Sequence, residues 1–356
     1  MKKNFLLISA LSMLTLASCS KDDVPEVPAV QPAKGAYVLS EGGFGGNNAK
    51  LGFYSFATSI FAGDFFVQQN PGITAGVGGL ATDMVIYGSK LYIIIDQSNK
   101  VTVLNAADAK FIKDIPFAAG GLPIEPRYAT GANGKLFVTA WDGTVNVIDT
   151  TTLAITKSIP VGLNPEGIVQ SGNNLYVSNS GGLTATFDST VSVISLATLT
   201  ETSKIYVGKN PTSITADEAG NIYIACQGDY ASNAPKLVKV NTANNSITKS
   251  ADTTAGSLKY YDNVLYVTGG YYGVQNVRKL STIDFKAIAN NFVTDGTAIL
   301  NPYSVNIDPQ NGDVYVTDAK NSVSAGALFC FDKTGKKKFT FSTAPGVNPN
   351  KVVFTR

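Results

Sequence analysis

Short hydrophobic segments recur along this chain, and each ends in a triplet with an aromatic residue between two aliphatic ones. Seven such triplets occur, at residues 36–38, 91–93, 136–138, 175–177, 222–224, 265–267 and 314–316. From the second triplet to the fifth, successive aromatic residues are 45, 39 and 47 positions apart. A period of this size is typical of a stacked or circular array of one supersecondary unit. We expect the triplet aromatics to be buried in the core of that array.

The fourth repeat shows the unit most fully. Residues 164–169 and 175–178 have the pattern of two strands, and the Ser-Gly-Asn-Asn segment at 171–174 has the composition of a hairpin turn. Residues 190–194 and 198–207 predict a third and a fourth strand. A proline opens this unit and the next, at a position where it has no ladder hydrogen bond to lose. Four short antiparallel strands per unit predict the blades of an all-β propeller.

The two ends of the chain predict how the array closes. Residues 36–40 resemble the second strand of a blade, and no first strand precedes them. Residues 348–354 match the first strand of a blade. We therefore expect the C-terminal strand to complete the first blade, which removes the sheet edge that an open array would expose. The prediction is a single propeller domain over residues 35–356, with seven four-stranded blades.

The N-terminus has the pattern of a lipoprotein signal peptide over residues 1–18. Lys2 and Lys3 precede an apolar run at 5–16 that is too short to cross a membrane as a helix. The Leu-Ala-Ser-Cys segment that follows resembles a lipobox, whose cysteine, Cys19, would receive the lipid. An ordinary secretory signal with a chance cysteine is the alternative.

A lipidated Cys19 and a tether would occupy residues 19–34. Residues 20–23, Ser-Lys-Asp-Asp, resemble the acidic export signal of lipoproteins that Bacteroidetes-type bacteria display at the cell surface. Three prolines in residues 24–34 favour a semi-rigid tether. The expected location is the outer face of the outer membrane, with the lipid as the sole membrane anchor.

The amino-acid composition argues against several kinds of catalytic and metal-binding site. The chain contains no histidine, which argues against a Ser-His-Asp arrangement and against histidine-ligated metals. The glycine-rich segment at 41–46 opens no helix, and no acidic run has the spacing of a calcium loop. We predict no catalytic residue, no metal ligand and no cofactor. Cys226 and Cys330 lie in apolar strand patterns and are expected to be buried thiols, with a disulfide between them as the alternative.

Charge excludes one class of partner. Loss of the signal peptide removes Lys2 and Lys3, so the formal net charge falls from +2 to 0. The mature chain therefore has no basic field that would attract nucleic acid.

One face of the predicted disc carries most of the candidate chemistry. The loops after each second and each fourth strand lie on this face, and the residue at each blade entrance should point towards the central mouth. Going round from the second blade, these entrance residues are Thr82, Arg127, Glu166, Thr212, Gly256, Tyr303 and Asn350. Rigid aromatic rings on a fixed scaffold bind planar ligands at low entropic cost.

The candidate ligand-binding residues come from this ring and from the loops around it. They are Phe44, Asp83, Arg127, Tyr128, Trp141, Glu166, Gln227, Tyr230, Tyr271, Tyr272 and Tyr303. Two alternatives remain at this stage. Trp141 could pack between blades instead of touching a ligand, and Arg127 and Glu166 could simply pair with each other.

Two stretches carry a family resemblance. Residues 175–214, with LYVSNSGG near their start and STVSVISLATLTETSKIYVGKNPTSI at their end, resemble the YncE-like seven-bladed β-propellers. The opening AYVLSEGGFGGNNAKLGFYSF is similar to a branch of Bacteroidetes surface lipoproteins in that family. One group of that branch, BtuG, binds cobalamin and hands it to the TonB-dependent outer-membrane transporter BtuB. The resemblance implies a propeller and a surface role, and no individual cobalamin-contacting residue is carried over from it.

Three hypotheses follow. The first is a surface lipoprotein that binds a small nutrient, with cobalamin or a related corrinoid as the best guess, and passes it to an outer-membrane transporter. The second is an interaction module for a protein or a glycan, without a small ligand. The third is an enzyme such as a propeller lactonase or lyase, which the absence of histidine disfavours.

Overall fold

The computed structural model describes residues 33–182, 184–269 and 276–356, and residues 33–356 form one compact unit. The described chain is almost entirely β-structure, arranged as seven four-stranded antiparallel sheets. This is the seven-bladed propeller that the repeats predict.

The strands follow one another blade by blade. Blade 1 contains β1 (Gly35–Ser40), β2 (Lys50–Ser55) and β3 (Ile60–Ala62). Blade 2 contains β4 (Ala81–Tyr87), β5 (Lys90–Ile95), β6 (Lys100–Asn105) and β7 (Phe111–Pro116). A hairpin of β8 (Ala118–Ala119) and β9 (Leu122–Pro123) leads to blade 3. Blades 3 and 4 are β10 (Pro126–Ala132), β11 (Lys135–Ala140), β12 (Thr144–Asp149), β13 (Ala154–Pro160), then β14 (Pro165–Ser171), β15 (Asn174–Asn179), β16 (Thr190–Ser195) and β17 (Thr200–Tyr206).

The last three blades and the closing strand complete the disc. Blades 5 and 6 are β18 (Pro211–Ala216), β19 (Asn221–Cys226), β20 (Lys236–Asn241), β21 (Ser246–Asp252), then β22 (Leu258–Tyr261), β23 (Val264–Val267), β24 (Arg278–Ser281) and β25 (Ala287–Ala289). Blade 7 is β26 (Pro302–Ile307), β27 (Val314–Asp318), β28 (Ala325–Phe331) and β29 (Lys337–Val347), after which β30 (Pro349–Thr355) returns to blade 1. One short helix, α1 (Phe65–Gln69), lies between blades 1 and 2.

The closing strand confirms the predicted end-to-end arrangement. β30 pairs antiparallel with β1, with Tyr37 opposite Val353 and Ala36 opposite Phe354. It is thus the innermost strand of blade 1, and the innermost strands of all seven blades contact one another in a closed ring. Both edges of β1 are covered, by β2 on one side and by β30 on the other.

The core lies between the blades. The aromatic residue of each triplet is at most 3 % exposed. Tyr92 and Ile94 of β5 pack against blade 3, whereas Leu91 and Ile93 of the same strand pack against blade 1, because successive side chains of a strand point to opposite faces. Seven such clusters fill the seven interfaces, and the last joins blade 7 to blade 1.

Several local predictions are confirmed. Cys226 and Cys330 are buried free thiols, as the apolar strand patterns indicated. Asn133 and Gly134 both adopt positive φ, at 49° and 72°, in the turn between β10 and β11, which is the conformation that an Asn-Gly hairpin supplies at little cost. The hairpin β8–β9 and helix α1 are additions that the repeat pattern did not predict. Within the described ranges, no helix is both long enough and apolar enough to span a membrane.

Candidate functional site

One set of backbone hydrogen bonds places the loops around the mouth of the propeller. In six blades, the residue that follows the second strand donates its N–H to the carbonyl of the residue just before the first strand. The pairs, donor first, are Glu41 and Asn348, Asp96 and Leu80, Trp141 and Glu125, Ser180 and Asn164, Gln227 and Asn210, and Ala319 and Asn301. Five of these acceptor residues have positive φ, and three of those five are asparagine, which tolerates that conformation well. We call the face formed by these loops the upper face.

A cavity of about 320 Å³ occupies the centre of the ring below the upper face. Six of the seven predicted entrance residues line it. They are Thr82, Arg127, Thr212, Gly256, Tyr303 and Asn350. Tyr303 is also 40 % exposed, so the cavity reaches solvent at this face. Glu166 differs from the prediction: it is buried, and its neighbours Gly167 and Ile168 line the cavity in its place.

Glu166 turns aside because it belongs to a cluster that joins three blades. Arg127 of blade 3 pairs with Asp96 of blade 2 through Nη1, and its Nε lies 3.3 Å from Oε1 of Glu166 in blade 4. The Trp141 indole N–H donates to the same Glu166 oxygen at 2.9 Å, and the Arg127 guanidinium lies 4.3 Å from the Trp141 ring centroid. We call these four residues the Arg127 cluster. Arg127 and Glu166 thus pair with each other, and Trp141 of blade 3 contacts Glu166 of blade 4.

The electrostatics of the Arg127 cluster favour a fixed charge at its centre. Burial raises the pKa of both Glu166 and Asp96, while the guanidinium of Arg127 opposes that shift in each. Burial alone would lower the pKa of Arg127, but the carboxylates of Glu166 and Asp96 raise it overall. Arg127 therefore stays protonated, and its charge is shared between two carboxylates.

A second contact crosses the mouth from blade 7 to blade 1. The Tyr303 hydroxyl donates to Oε2 of Glu41 at 2.7 Å. Burial raises the pKa of Glu41, and the hydrogen bond from Tyr303 partly offsets the shift. Glu41 lines the cavity and so belongs to the site, although it was not among the candidate ligand-binding residues.

Asp83 and Tyr128 lie deeper than the mouth. Both line the cavity. Oδ1 of Asp83 is 2.5 Å from Nζ of Lys351, and Oδ2 accepts a hydrogen bond from the Ala129 N–H at 3.0 Å. Asp83 is therefore fixed by two partners, and Lys351 joins the site as a residue that the sequence did not single out.

The remaining predicted residues lie on the loops above the cavity. Gln227 donates to the Ala255 carbonyl at 2.7 Å and to Thr212 Oγ1 at 3.1 Å, which braces the loop between blades 5 and 6. Tyr230 is 45 % exposed, and its ring contacts that of Phe187 edge to face at 5.7 Å. Phe44 is 87 % exposed. Tyr271, Tyr272 and Cys19 lie outside the described residues.

Exposed large apolar side chains lie on both faces and on the outermost strands of the blades, and the upper face carries more of them than the lower face. In the loops of the upper face, the exposed ones among the described residues are Phe44, Leu122, Leu163, Tyr230, Leu300 and Val323. The lower face exposes two, Ile60 at the start of β3 and Ile283 in the turn between β24 and β25. Five others lie on outermost strands: Phe111, Ile112, Tyr206, Ile247 and Ile288. The upper face thus combines a polar, partly buried mouth with a surrounding apolar rim, which is the surface pattern of a binding site. We call the six upper side chains the apolar rim.

The donor set at the mouth does not form a metal centre. Over residues 33–182, 184–269 and 276–356, no three Asp, Glu or Cys side chains are grouped closely enough to hold a metal ion.

Comparison with known proteins identifies the family. Residues 34–338 match the family described as "Domain of unknown function (DUF5074)". The chain belongs to the DUF5074 family. No curated protein matches the sequence.

Several solved structures from different organisms have a similar fold. A quinonprotein alcohol dehydrogenase-like protein from Bacteroides thetaiotaomicron VPI-5482 is similar with a TM-score of 0.68 and 15 % identity, over 91 % of this chain and 79 % of that one. A protein from Lactobacillus plantarum is similar with a TM-score of 0.65 and 14 % identity, over 91 % of this chain and 100 % of that one. Kuenenia stuttgartiensis hydrazine synthase is similar with a TM-score of 0.55 and 18 % identity, over 69 % of this chain and 74 % of that one. Identities this low show a shared fold, and they carry no activity over to this member of the DUF5074 family.

Proposed function

We propose that this protein binds a small nutrient molecule across its upper face, and that a corrinoid such as cobalamin is the ligand to test first. The observation that carries the proposal is the concentration of a polar mouth and the apolar rim on one face. In this proposal, a lipid on Cys19 holds the protein at the outer surface of the outer membrane, and a TonB-dependent transporter receives the ligand. The family resemblance of the sequence supports the corrinoid, the anchor and the transporter.

The size of the cavity determines how a corrinoid would lie on the upper face. Ligand pockets enclose about 300–1,000 Å³, and a cavity of about 320 Å³ is at the low end of that range. A corrinoid is too large to enter it. It would instead lie flat over the mouth, with its amide groups towards Tyr303 and Asn350 and its edges against the apolar rim.

Trp141 offers a direct test, because it is the single tryptophan of the chain and lies beside the mouth. We expect cyanocobalamin at micromolar protein concentration to give saturable heat in calorimetry and to quench Trp141 fluorescence with the same midpoint. Phe44→Ser with Val323→Ser, on the apolar rim, should weaken binding at least about tenfold, which is about 1.4 kcal/mol. The matched control, Ile60→Ser with Ile283→Ser on the lower face, should not change it. No heat and no quenching from the wild type would reject the corrinoid.

The apolar rim also favours a second function, docking of a protein partner without a small ligand. Exposed apolar patches with polar surroundings mark protein interaction sites as well as ligand-binding grooves. Retention of an outer-membrane transporter by corrinoid-free protein, lost in the Phe44→Ser and Val323→Ser variant, would favour this function over corrinoid capture.

A further inference from the structure

The central channel narrows at a charged constriction. A second cavity of about 150 Å³ is lined by Tyr261 and Ile307, which lie at the lower ends of β22 and β26. Lys259, Asn306 and Lys351 line this cavity and the larger one above it. These three residues therefore lie where the two cavities meet, and we call this junction the constriction.

Positive charge is in excess at the constriction. Lys351 is paired with Asp83 at 2.5 Å, and Asp83 is 2 % exposed. The ammonium group of Lys259 makes no hydrogen bond or ion pair with any described residue. Two ammonium groups thus share one carboxylate, and burying an ammonium group without a partner is unfavourable.

The Lys259 pKa agrees with this geometry. The neighbouring charge of Lys351 and then burial lower the pKa of Lys259 from 10.5 to about 8, while Asp83 acts in the opposite direction. An anion at this point would oppose the lowering of the Lys259 pKa, because it would attract both ammonium groups and accept their hydrogen bonds.

Apolar side chains from blades 3, 4 and 5 line part of the cavity, beside the polar Arg127, Thr212 and Ser213. Ala129, Ile168 and Ile214, from blades 3, 4 and 5, line the same cavity as Lys259, Asn306 and Lys351, from blades 6, 7 and 1. A ligand that satisfies both sets has an anionic group at one end and an apolar body at the other. The volume of about 320 Å³ suits a compact molecule with one ring or a short chain.

We propose that the channel constriction binds the carboxylate of a small organic acid, held by Lys259 and Lys351, with the apolar body of the acid against Ala129, Ile168 and Ile214. The Asn306 amide lies at the same constriction, where Nδ2 donates one N–H to Ser304 Oγ at 2.9 Å, and its second N–H can donate to the carboxylate. This site goes beyond the proposed function, since it lies under the mouth and holds whether or not a corrinoid binds above it.

Benzoate is a suitable probe because benzamide matches it in shape and lacks the charge. Titration of the full chain at pH 7, in the absence of corrinoid, should show saturable benzoate binding and benzamide binding at least about tenfold weaker. Lys259→Met should weaken benzoate binding by about tenfold or more, in line with the loss of one charge-assisted hydrogen bond. Lys259→Arg, which keeps the charge, should stay within a few fold of the wild type.

The matched control is Lys286→Met, which removes the same charge from an exposed site on the same blade and should bind benzoate normally. Inorganic phosphate is a separate arm, expected to bind more weakly than benzoate because it has no apolar body. The proposal is overturned if folded wild-type protein binds no benzoate at millimolar concentration, if benzamide binds equally well, if phosphate alone binds, or if Lys259→Met binds like the wild type. Cyanocobalamin titration of the same samples reports separately on the mouth.

Discussion

At the scale of single residues, the mouth and the constriction use charge in different ways. Arg127 is enclosed by two carboxylates and an aromatic ring from three blades, so its charge is already balanced within the protein. Removing one partner of such a buried arrangement leaves unpaired charges, which is strongly destabilising. The Arg127 cluster therefore acts first as a joint between blades 2, 3 and 4. Lys259 has no comparable partner, and its charge is available to a ligand.

Lys259 makes stability depend on pH. Its pKa is lowered from 10.5 to about 8, so the unfolded chain binds this proton more tightly than the folded chain does. The charged groups that face Lys259 are Lys351 and Asp83. The resulting destabilisation is fully present below pH 8 and disappears as the pH rises from 8 to 10.5.

We therefore expect Lys259→Met to raise the free energy of unfolding at pH 7 by on the order of 1–3 kcal/mol. The gain should shrink between pH 8 and 10.5. Urea denaturation at pH 7, 9 and 10.5 measures it, with Lys286→Met as the control that should show no such trend. Equal stability of Lys259→Met and wild type at pH 7 would contradict the lowered pKa.

At the scale of elements, β30 closes the disc by completing blade 1. It covers the free edge of β1, and its Val352 completes the apolar cluster between blades 7 and 1 with Tyr315, Leu328 and Cys330. Without it, the ring of innermost strands is broken at one point, and β1 exposes a row of unpaired backbone groups.

Truncation tests this role. A chain that ends at residue 347 should lose the single cooperative thermal transition and should aggregate, because an edge strand and part of the core become exposed. Removal of Arg356 alone should cost less than about 1 kcal/mol, since the Arg356 side chain is partly exposed and Asp308 keeps a hydrogen bond from the Gln310 N–H. Thermal circular dichroism of both chains beside the wild type makes the comparison. A cooperative transition at the wild-type temperature in the shorter chain would show that closure is unimportant.

β-Bulges explain why the site was predicted only in part. In β4, β10, β14, β18 and β26 the pairing register shifts just after the first residue. A bulge adds one residue on one strand and re-aims the side chains beyond it. Counting from the blade entrance therefore located the mouth residues, but it missed the deeper Lys259 and Lys351. Counting back from the triplet register would have placed Lys351 in the same ring as Asp83 and Tyr128.

At the scale of the whole molecule, the two faces of the disc differ in character. The lower face consists of tight hairpin turns, and the upper face carries long loops with the apolar rim above the cavity. Single exposed apolar residues are ordinary, but several in the loops around one concave mouth support the proposed binding surface.

A triple substitution tests whether the apolar rim is one surface. Phe44→Ser, Leu300→Ser and Val323→Ser together should reduce binding of the hydrophobic dye 8-anilinonaphthalene-1-sulfonate by half or more. The melting temperature should change little, because surface substitutions usually alter stability by less than about 0.5 kcal/mol each. Ile60→Ser with Ile283→Ser is the control from the lower face. Unchanged dye binding in the triple variant would mean that these side chains do not act together.

The sequence by itself determined the propeller, the number of blades, the closing strand and the face on which the loops gather. These follow from local patterns: strand periodicity, turn residues and a repeat whose triplets mark every second strand. Tertiary structure decided which side chains meet. Glu166 turns towards Arg127 and Trp141, Asp83 pairs with Lys351 from the other end of the chain, and Lys259 lines the same cavity without an ion-pair partner among the described residues. Such contacts depend on bulges and on packing between blades distant in sequence, and no local pattern encodes them.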